Sequence, residues 1–331
     1  MQLQNIAYAQ NDLGKDNFQN GDINYVKYIN QFPSIDKGKS SNFFEKVTDF
    51  IIGEKETPLL IKPMSVIAIN PDSFQILDQG NGLVFQIQNQ ESEIPKFFKK
   101  RKDKLTSLVG ICENSTKDVL ITDSKLNKIF KISADKKSIT ILNDSLKLNQ
   151  PTGISFSNTT KEIWVVETGA HQISILDENG NLKKTIGKRG TQNSEFNFPT
   201  YLSFDKKGNA YVVDAMNFRI QIFDKSGNFV STFGEIGDAT GYFSRPKGIA
   251  IDSTGNIYIV DALFNTVQIF DNTGAFLYQF GKQGQNKEEF WMPTGIFIDK
   301  KDYIYVADSY NARVQIFQHV YEKGNEKSIK N

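Results

Sequence analysis

Between residues 63 and 318 the chain is written in short apolar strings, many of them alternating with polar positions. Ile220-Gln221-Ile222-Phe223, Val267-Gln268-Ile269-Phe270 and Val314-Gln315-Ile316-Phe317 place alternate residues on opposite faces. A period of two marks a half-buried strand. Each of these strings follows an aromatic and β-branched run that ends on an acid: Tyr211-Val212-Val213 before Asp214, Tyr258-Ile259-Val260 before Asp261, Tyr305-Val306 shortly before Asp308. Turns such as Lys206-Lys207-Gly208-Asn209 and Ser253-Thr254-Gly255-Asn256 come before those runs. Glycine there accepts the positive φ of a tight hairpin. A helical period stands out elsewhere, at Phe43, Phe44, Val47, Phe50 and Ile51, and predicts a short helix over 41–52 that packs across the surface.

The strings recur at a fixed interval. Pro199, Pro246 and Pro293 each open a similar run and lie 47 residues apart. Earlier copies open at Pro151, Leu108 and Pro63, so units start near 63, 108, 151, 199, 246 and 293. Four short strands in a repeated unit of about 40–50 residues describe a β-propeller blade. The fold class is therefore all-β, a six-bladed propeller. The last unit ends near Phe317-Gln318 without a fourth strand, which would leave an open edge. Ile23–Ile29 largely alternates apolar and polar residues and is expected to close the ring as that strand. One domain then runs from 22 to 320, with polar segments at 1–21 and 321–331.

Composition narrows the chemistry. The 331 residues hold 39 Lys+Arg and 38 Asp+Glu, so net charge gives no general attraction to nucleic acid or acidic membranes. One Cys and two His exclude an internal disulfide framework, a Cys-rich metal site and a three-histidine zinc site. Cys112, in the run Val109-Gly110-Ile111-Cys112, reads as a small core residue. No apolar stretch of about 18 residues is present to span a bilayer. Ala7-Tyr8-Ala9 has the small-x-small form of a signal-peptidase site, but the apolar run that should precede it is not in this sequence. Read as the remnant of an export signal, it predicts a periplasmic or extracellular protein. A monomer is expected.

The strings Asp214–Phe223 and Asp308–Phe317 share the form Asp-x-x-Asn-x-Arg-Ile/Val-Gln-Ile-Phe. Similar repeats are preceded by Pro-x-Gly-Ile at Pro246 and Pro293 and by Gly-Asn-x-Tyr-x-Val at Gly208 and Gly255. This grammar resembles the NHL repeat over about three quarters of the chain. The resemblance implies a bacterial, exported six-bladed ring with a strand and helix before the first blade. It does not by itself imply an activity, because the motif residues chiefly build blades.

Strand order puts the connections between blades, and those between second and third strands, on one face of the disc, here called the loop face. The glycine hairpins lie on the other, the hairpin face. On the loop face each second strand ends on an acid: Asp78, Asp123, Glu167, Asp214, Asp261 and Asp308. Such a ring could offer calcium several oxygens in the channel. Its presence in every blade fits better a turn that each blade needs, with the carboxylate accepting backbone N–H bonds. No cofactor is expected.

Positions that differ between blades are the candidates for reading a ligand: Asn217, Phe218 and Arg219; Phe264 and Asn265; Tyr310, Asn311 and Arg313; and His171. Aromatics beside arginines suit a protein or peptide partner, and they could also stack on sugar rings. The same aromatics would serve equally to pack neighbouring loops together. Arg189 and Trp291, on the connections between blades, complete the set. His171 titrates near neutrality, and His319 lies beyond the last strand. The run Lys96–Lys104 is rich in lysine but reads as a solvated loop, and nucleic acid is not expected as a partner.

These features favour a non-enzymatic scaffold that binds a ligand or protein on the loop face. The alternative is a metal-dependent lactonase- or lyase-like enzyme on the same face. NHL-like lyases of the peptidyl-hydroxyglycine type hold zinc with histidines, which two His do not supply. Lactonases of the paraoxonase and gluconolactonase type hold calcium with Glu, Asn and Asp near the inner strands. The matching strand starts here, such as Thr152-Gly153, Thr200-Tyr201 and Lys247-Gly248, carry neither acid nor amide.

Overall fold

The computed structural model describes residues 23–34, 59–100 and 105–322. Six four-stranded antiparallel sheets follow one another around a central channel. The innermost strands are Pro63–Asn70, Leu108–Glu113, Pro151–Ser157, Leu202–Phe204, Pro246–Ile251 and Ile296–Ile298, in blades one to six. Those of blades one, two, three and five open at Pro63, Leu108, Pro151 and Pro246, and those of blades four and six begin three residues after Pro199 and Pro293. Helix among the described residues is confined to Lys96–Lys100 and two single 3-10 turns, Ala215–Asn217 and Ser309–Asn311. The 96–104 run is thus partly helical; Phe98 at its centre is buried and Phe97 packs on the core beside it.

The ring closes as the alternation of 23–29 implies. Ile23–Phe32 pairs antiparallel with Arg313–Glu322, from Ile23 opposite Glu322 to Phe32 opposite Val314. Both strands run further than the sequence pattern suggests: the last one continues to Glu322 rather than stopping near 318. Hydroxyls seal the seam on the inner side. Ser309 Oγ donates to the Pro63 carbonyl, and Thr294 Oγ1 donates to the Met64 carbonyl at 3.1 Å. The expected helix over 41–52 and Ala7–Ala9 lie outside the described residues.

The core lies between blades. Trp164, Tyr258 and Tyr305 on second strands and Phe223, Phe270 and Phe317 on third strands are fully buried. Burying each such ring contributes roughly 1.5–3 kcal/mol. A second set of buried rings comes from the connections: Phe196, Phe243 and Phe290 are fully enclosed. Each tucks beneath a glycine that ends an outer strand; a Cβ on Gly187 would lie 2.4 Å from the Phe196 ring. The wedge between blades five and six is thus Phe290, and Trp291 beside it stays 40% exposed. On the hairpin face, aspartates organise the turns. Asp205 Oδ1 accepts the N–H groups of Lys207 and Asn209, and Asp252 Oδ1 those of Thr254, Gly255 and Asn256.

Candidate functional site

The acidic ring on the loop face is a set of clamps. Asp78 accepts from the Ile61 and Lys62 N–H groups, each at 2.9 Å, and Asp123 from Thr106 at 2.7 Å. Asp261 accepts from Ser244 at 2.8 Å and Asp308 from Trp291 at 2.7 Å. The donors lie 16 to 17 residues upstream, so each carboxylate ties the incoming connection to its own blade. Asp78, Asp123 and Asp261 also accept from the turn that follows them. Among the described residues no group of His, Cys, Asp and Glu is arranged to hold a metal.

The two motif arginines, named above as candidates for reading a ligand, are bonded into the same framework. Arg219 Nε donates to Asp214 Oδ2 at 2.8 Å, and its Nη2 donates to the carbonyls of Gln192 and Glu195. Arg313 is 5% exposed. It donates to Asp308 at 2.8 Å, to the carbonyls of Gln285, Asn286 and Glu289, each at 2.8 Å, and to Gln31 Oε1 at 3.1 Å. Burial pushes the Asp308 carboxyl up from its ordinary value, against the lowering effect of its hydrogen bonds and of Arg313. Asn217 and Asn311 are likewise committed: their side-chain amides donate to the carbonyls of Gly190 and Gly284.

His171 and Asn265 have one job in common. Both are buried, both have positive φ, and each accepts the N–H of a residue 27 positions on. Asn265 Oδ1 takes Met292 N–H at 2.8 Å, and His171 Nδ1 takes Phe198 N–H at 3.1 Å. A backbone N–H can only donate, so Nδ1 is unprotonated and the imidazole proton sits on Nε2. Burial, and then the charge of Arg189, lowers the His171 pKa in the same direction. His171 is a histidine version of an asparagine cap. The signal was in the sequence: Asn127, His171 and Asn265 occupy one position of the repeat.

The remaining candidates divide by exposure. Phe218 and Phe264 are half-buried, with Phe218 packed on the core of blades four and five. Tyr310 is 58% exposed and stacks on Trp291 with ring centroids 5.7 Å apart. Arg189 is exposed. Other apolar side chains stand in the equivalent loops: Leu126, Phe198, Met216 and Leu263 are all exposed.

At the centre of the loop face the channel is shut. One residue in or just before each inner strand holds the same position of the repeat: Ser65, Gly110, Gly153, Tyr201, Gly248 and Gly295. The glycines let neighbouring inner strands touch. Gly153 N–H donates to the Thr200 carbonyl at 2.8 Å, and a Cβ on Gly153 would meet Tyr201 Cα at 2.6 Å. Tyr201 crosses the remaining opening from blade four. Its hydroxyl lies 3.3 Å from the Met64 carbonyl and 3.4 Å from that of Val109, in blades one and two. Burial pushes this phenol up to about 12. Below Tyr201 a cavity of about 1770 Å³ opens toward the hairpin face, lined by inner strands and by turn residues such as Asp205, Ser253 and Lys300. Sequence reading missed both the plug and the cavity.

Comparison with known proteins agrees with this architecture. A sequence family described as a 6-bladed beta-propeller matches residues 205–267 and 253–322. The chain is accordingly a six-bladed β-propeller. It matches no curated protein sequence. Solved structures similar in fold include an auxiliary nutrient binding protein from Bacteroides thetaiotaomicron, at 15% identity and a TM-score of 0.62, covering 79% of this chain and 70% of that one. A gluconolactonase from Xanthomonas campestris is similar at 13% identity and 0.60, covering 79% and 87%. Virginiamycin B lyase from Staphylococcus aureus is similar at 14% identity and 0.57, covering 78% and 96%.

Proposed function

We propose that this propeller is a non-enzymatic binding scaffold that receives a protein or peptide on its loop face. One observation carries the reading: apolar side chains of blades two, four, five and six, Leu126, Phe198, Met216, Leu263, Trp291 and Tyr310, are exposed on that face. Single exposed apolar residues are ordinary, whereas a set gathered on one face suits a contact surface rich in aromatic anchors. The polar motif residues beneath them are occupied by backbone groups and serve to hold the loops. A place outside the cytoplasm accompanies this reading; it is supported by the fold shared with the nutrient binding protein and by Ala7-Tyr8-Ala9.

Tryptophan emission tests it. Trp164 is fully buried and Trp291 exposed, so iodide quenching reports mainly on the loop face. Heptapeptides selected from a random display library against the wild-type protein should shield Trp291 from iodide. They should bind Trp291→Ala/Tyr310→Ala at least tenfold more weakly. Peptides that bind the double variant equally well, and that leave Trp291 of the wild-type protein open to iodide, would place the binding surface elsewhere.

A further inference from the structure

The loop face carries a charge pattern that its apolar rim does not explain. The inner-strand runs open at Pro63, Leu108, Pro151, Pro199, Pro246 and Pro293. Among the residues immediately before and after these positions, only Lys62, Arg245 and Lys247 are charged. They fall in blades one and five, either side of blade six, which carries the exposed Trp291–Tyr310 pair. Asp78 fixes the Lys62 backbone through its N–H at 2.9 Å, and Asp261 fixes that of Arg245 at 3.0 Å. The side chains of all three make no hydrogen bond or ion pair among the described residues.

Lys247 is the most constrained of the three. It is half-buried directly above the closed end of the channel, next to Gly248 in the ring that Tyr201 plugs. Burial, and after it the charges of Arg245 and Lys62, lower its pKa to about 8. Like charges brought together without an anion repel, and a half-buried ammonium without a partner is costly. Asp78 and Asp261, which fix the backbones of Lys62 and Arg245, do not relieve it, because their oxygens already accept backbone N–H groups. An oxyanion seated between the three cations would remove the repulsion and form charge-assisted hydrogen bonds. The neighbouring rim is apolar and aromatic, which suits a peptide side chain beside the anion better than a polyhydroxylated sugar.

We infer that the partner is an acidic peptide, which presents a carboxylate to Lys247 between Lys62 and Arg245 and packs an apolar side chain on Trp291 and Tyr310. This rests on the peptide-binding reading above.

The selected heptapeptides supply the test. They should be enriched in Asp, Glu or a free C-terminal carboxylate. Replacing that residue by its amide, or amidating the chain end, separates the two sources, and one replacement should weaken binding at least tenfold in calorimetric titration. Lys247→Met should impose a similar loss. Titration at pH 8.5 in buffers of different ionisation enthalpy should show proton uptake in the wild type and none in Lys247→Met, because a bound carboxylate favours the charged amine. Neutral peptides that need Trp291 and Tyr310 but bind Lys247→Met unchanged would overturn the acidic assignment and leave the binding reading intact. Failure to select any peptide, with a uronate oligosaccharide bound instead through Lys247, would overturn the peptide partner and keep the oxyanion site. Failure of both probes would overturn both.

Discussion

Arg313→Ala should destabilise the ring strongly, and the structure says by how much. The guanidinium is buried, pairs with a fully buried Asp308, and reaches three carbonyls of the connection into blade six as well as Gln31 of the closing strand. Removing one member of a buried pair leaves the other charge without its partner, at a cost of about 3–5 kcal/mol. With an unfolding entropy of about 2.1 cal/mol/K per residue, a ring of about 300 residues loses roughly 1.6 °C of Tm per kcal/mol, so the expected fall is about 5–8 °C. Circular dichroism melts measure it. Amide hydrogen exchange supplies a second readout: Val26–Gln31 should exchange faster, since the Gln31 contact links the closing strand to the guanidinium. Arg313→Lys should fall between the two, since an ammonium keeps the charge and loses the planar fork. A Tm within 2 °C of wild type, with unchanged exchange in the closing strand, would refute the framework role and return Arg313 to the ligand-reading residues.

Three further outcomes follow from the same geometry. Gly153→Ala should cost about 1–3 kcal/mol in denaturant unfolding, because its Cβ would sit 2.6 Å from Tyr201 Cα and 2.7 Å from the Thr200 oxygen; an unchanged midpoint would mean the inner strands are not in close contact. Burial lowers the Lys247 pKa in the folded chain to about 8 from its ordinary 10.5, so the unfolded chain binds more protons between those values. Wild-type stability should therefore rise from pH 8 to 10.5 relative to Lys247→Met, by on the order of 1–3 kcal/mol, and a flat difference across that window would contradict it. Deleting residues 1–32 exposes the edge of Arg313–Glu322 and should give dimers or aggregates in size-exclusion chromatography; a stable monomer with the wild-type Tm would show that closure contributes little.

The fold was legible because propellers repeat. Six copies of one grammar fix the strands, the turn glycines and the two faces, and the edge left open after Phe317 points to the alternating segment at 23–29. The site was less legible, for a physical reason. A motif residue looks the same in sequence whether its polar atoms meet a ligand or a backbone carbonyl. Arg313 and Arg219 are polar, charged and in loops, yet their acceptors come from a connection some 24–28 residues upstream. Tyr201 was missed differently. It stands where other inner strands have glycine or serine, and its reach across the channel to Met64 and Val109 depends on ring closure, which no local pattern expresses.

The closing strand also sets an orientation. Ile23 pairs with Glu322 at the end of that strand furthest from Arg313, which lies on the loop face. The path of the chain therefore enters at Ile23 and leaves at Glu322 through one point on the hairpin-side rim. The described chain thus enters and leaves the ring on the side away from the loop face, so labels placed at Ile23 and Glu322 would report on the opposite face from Trp291 and Tyr310.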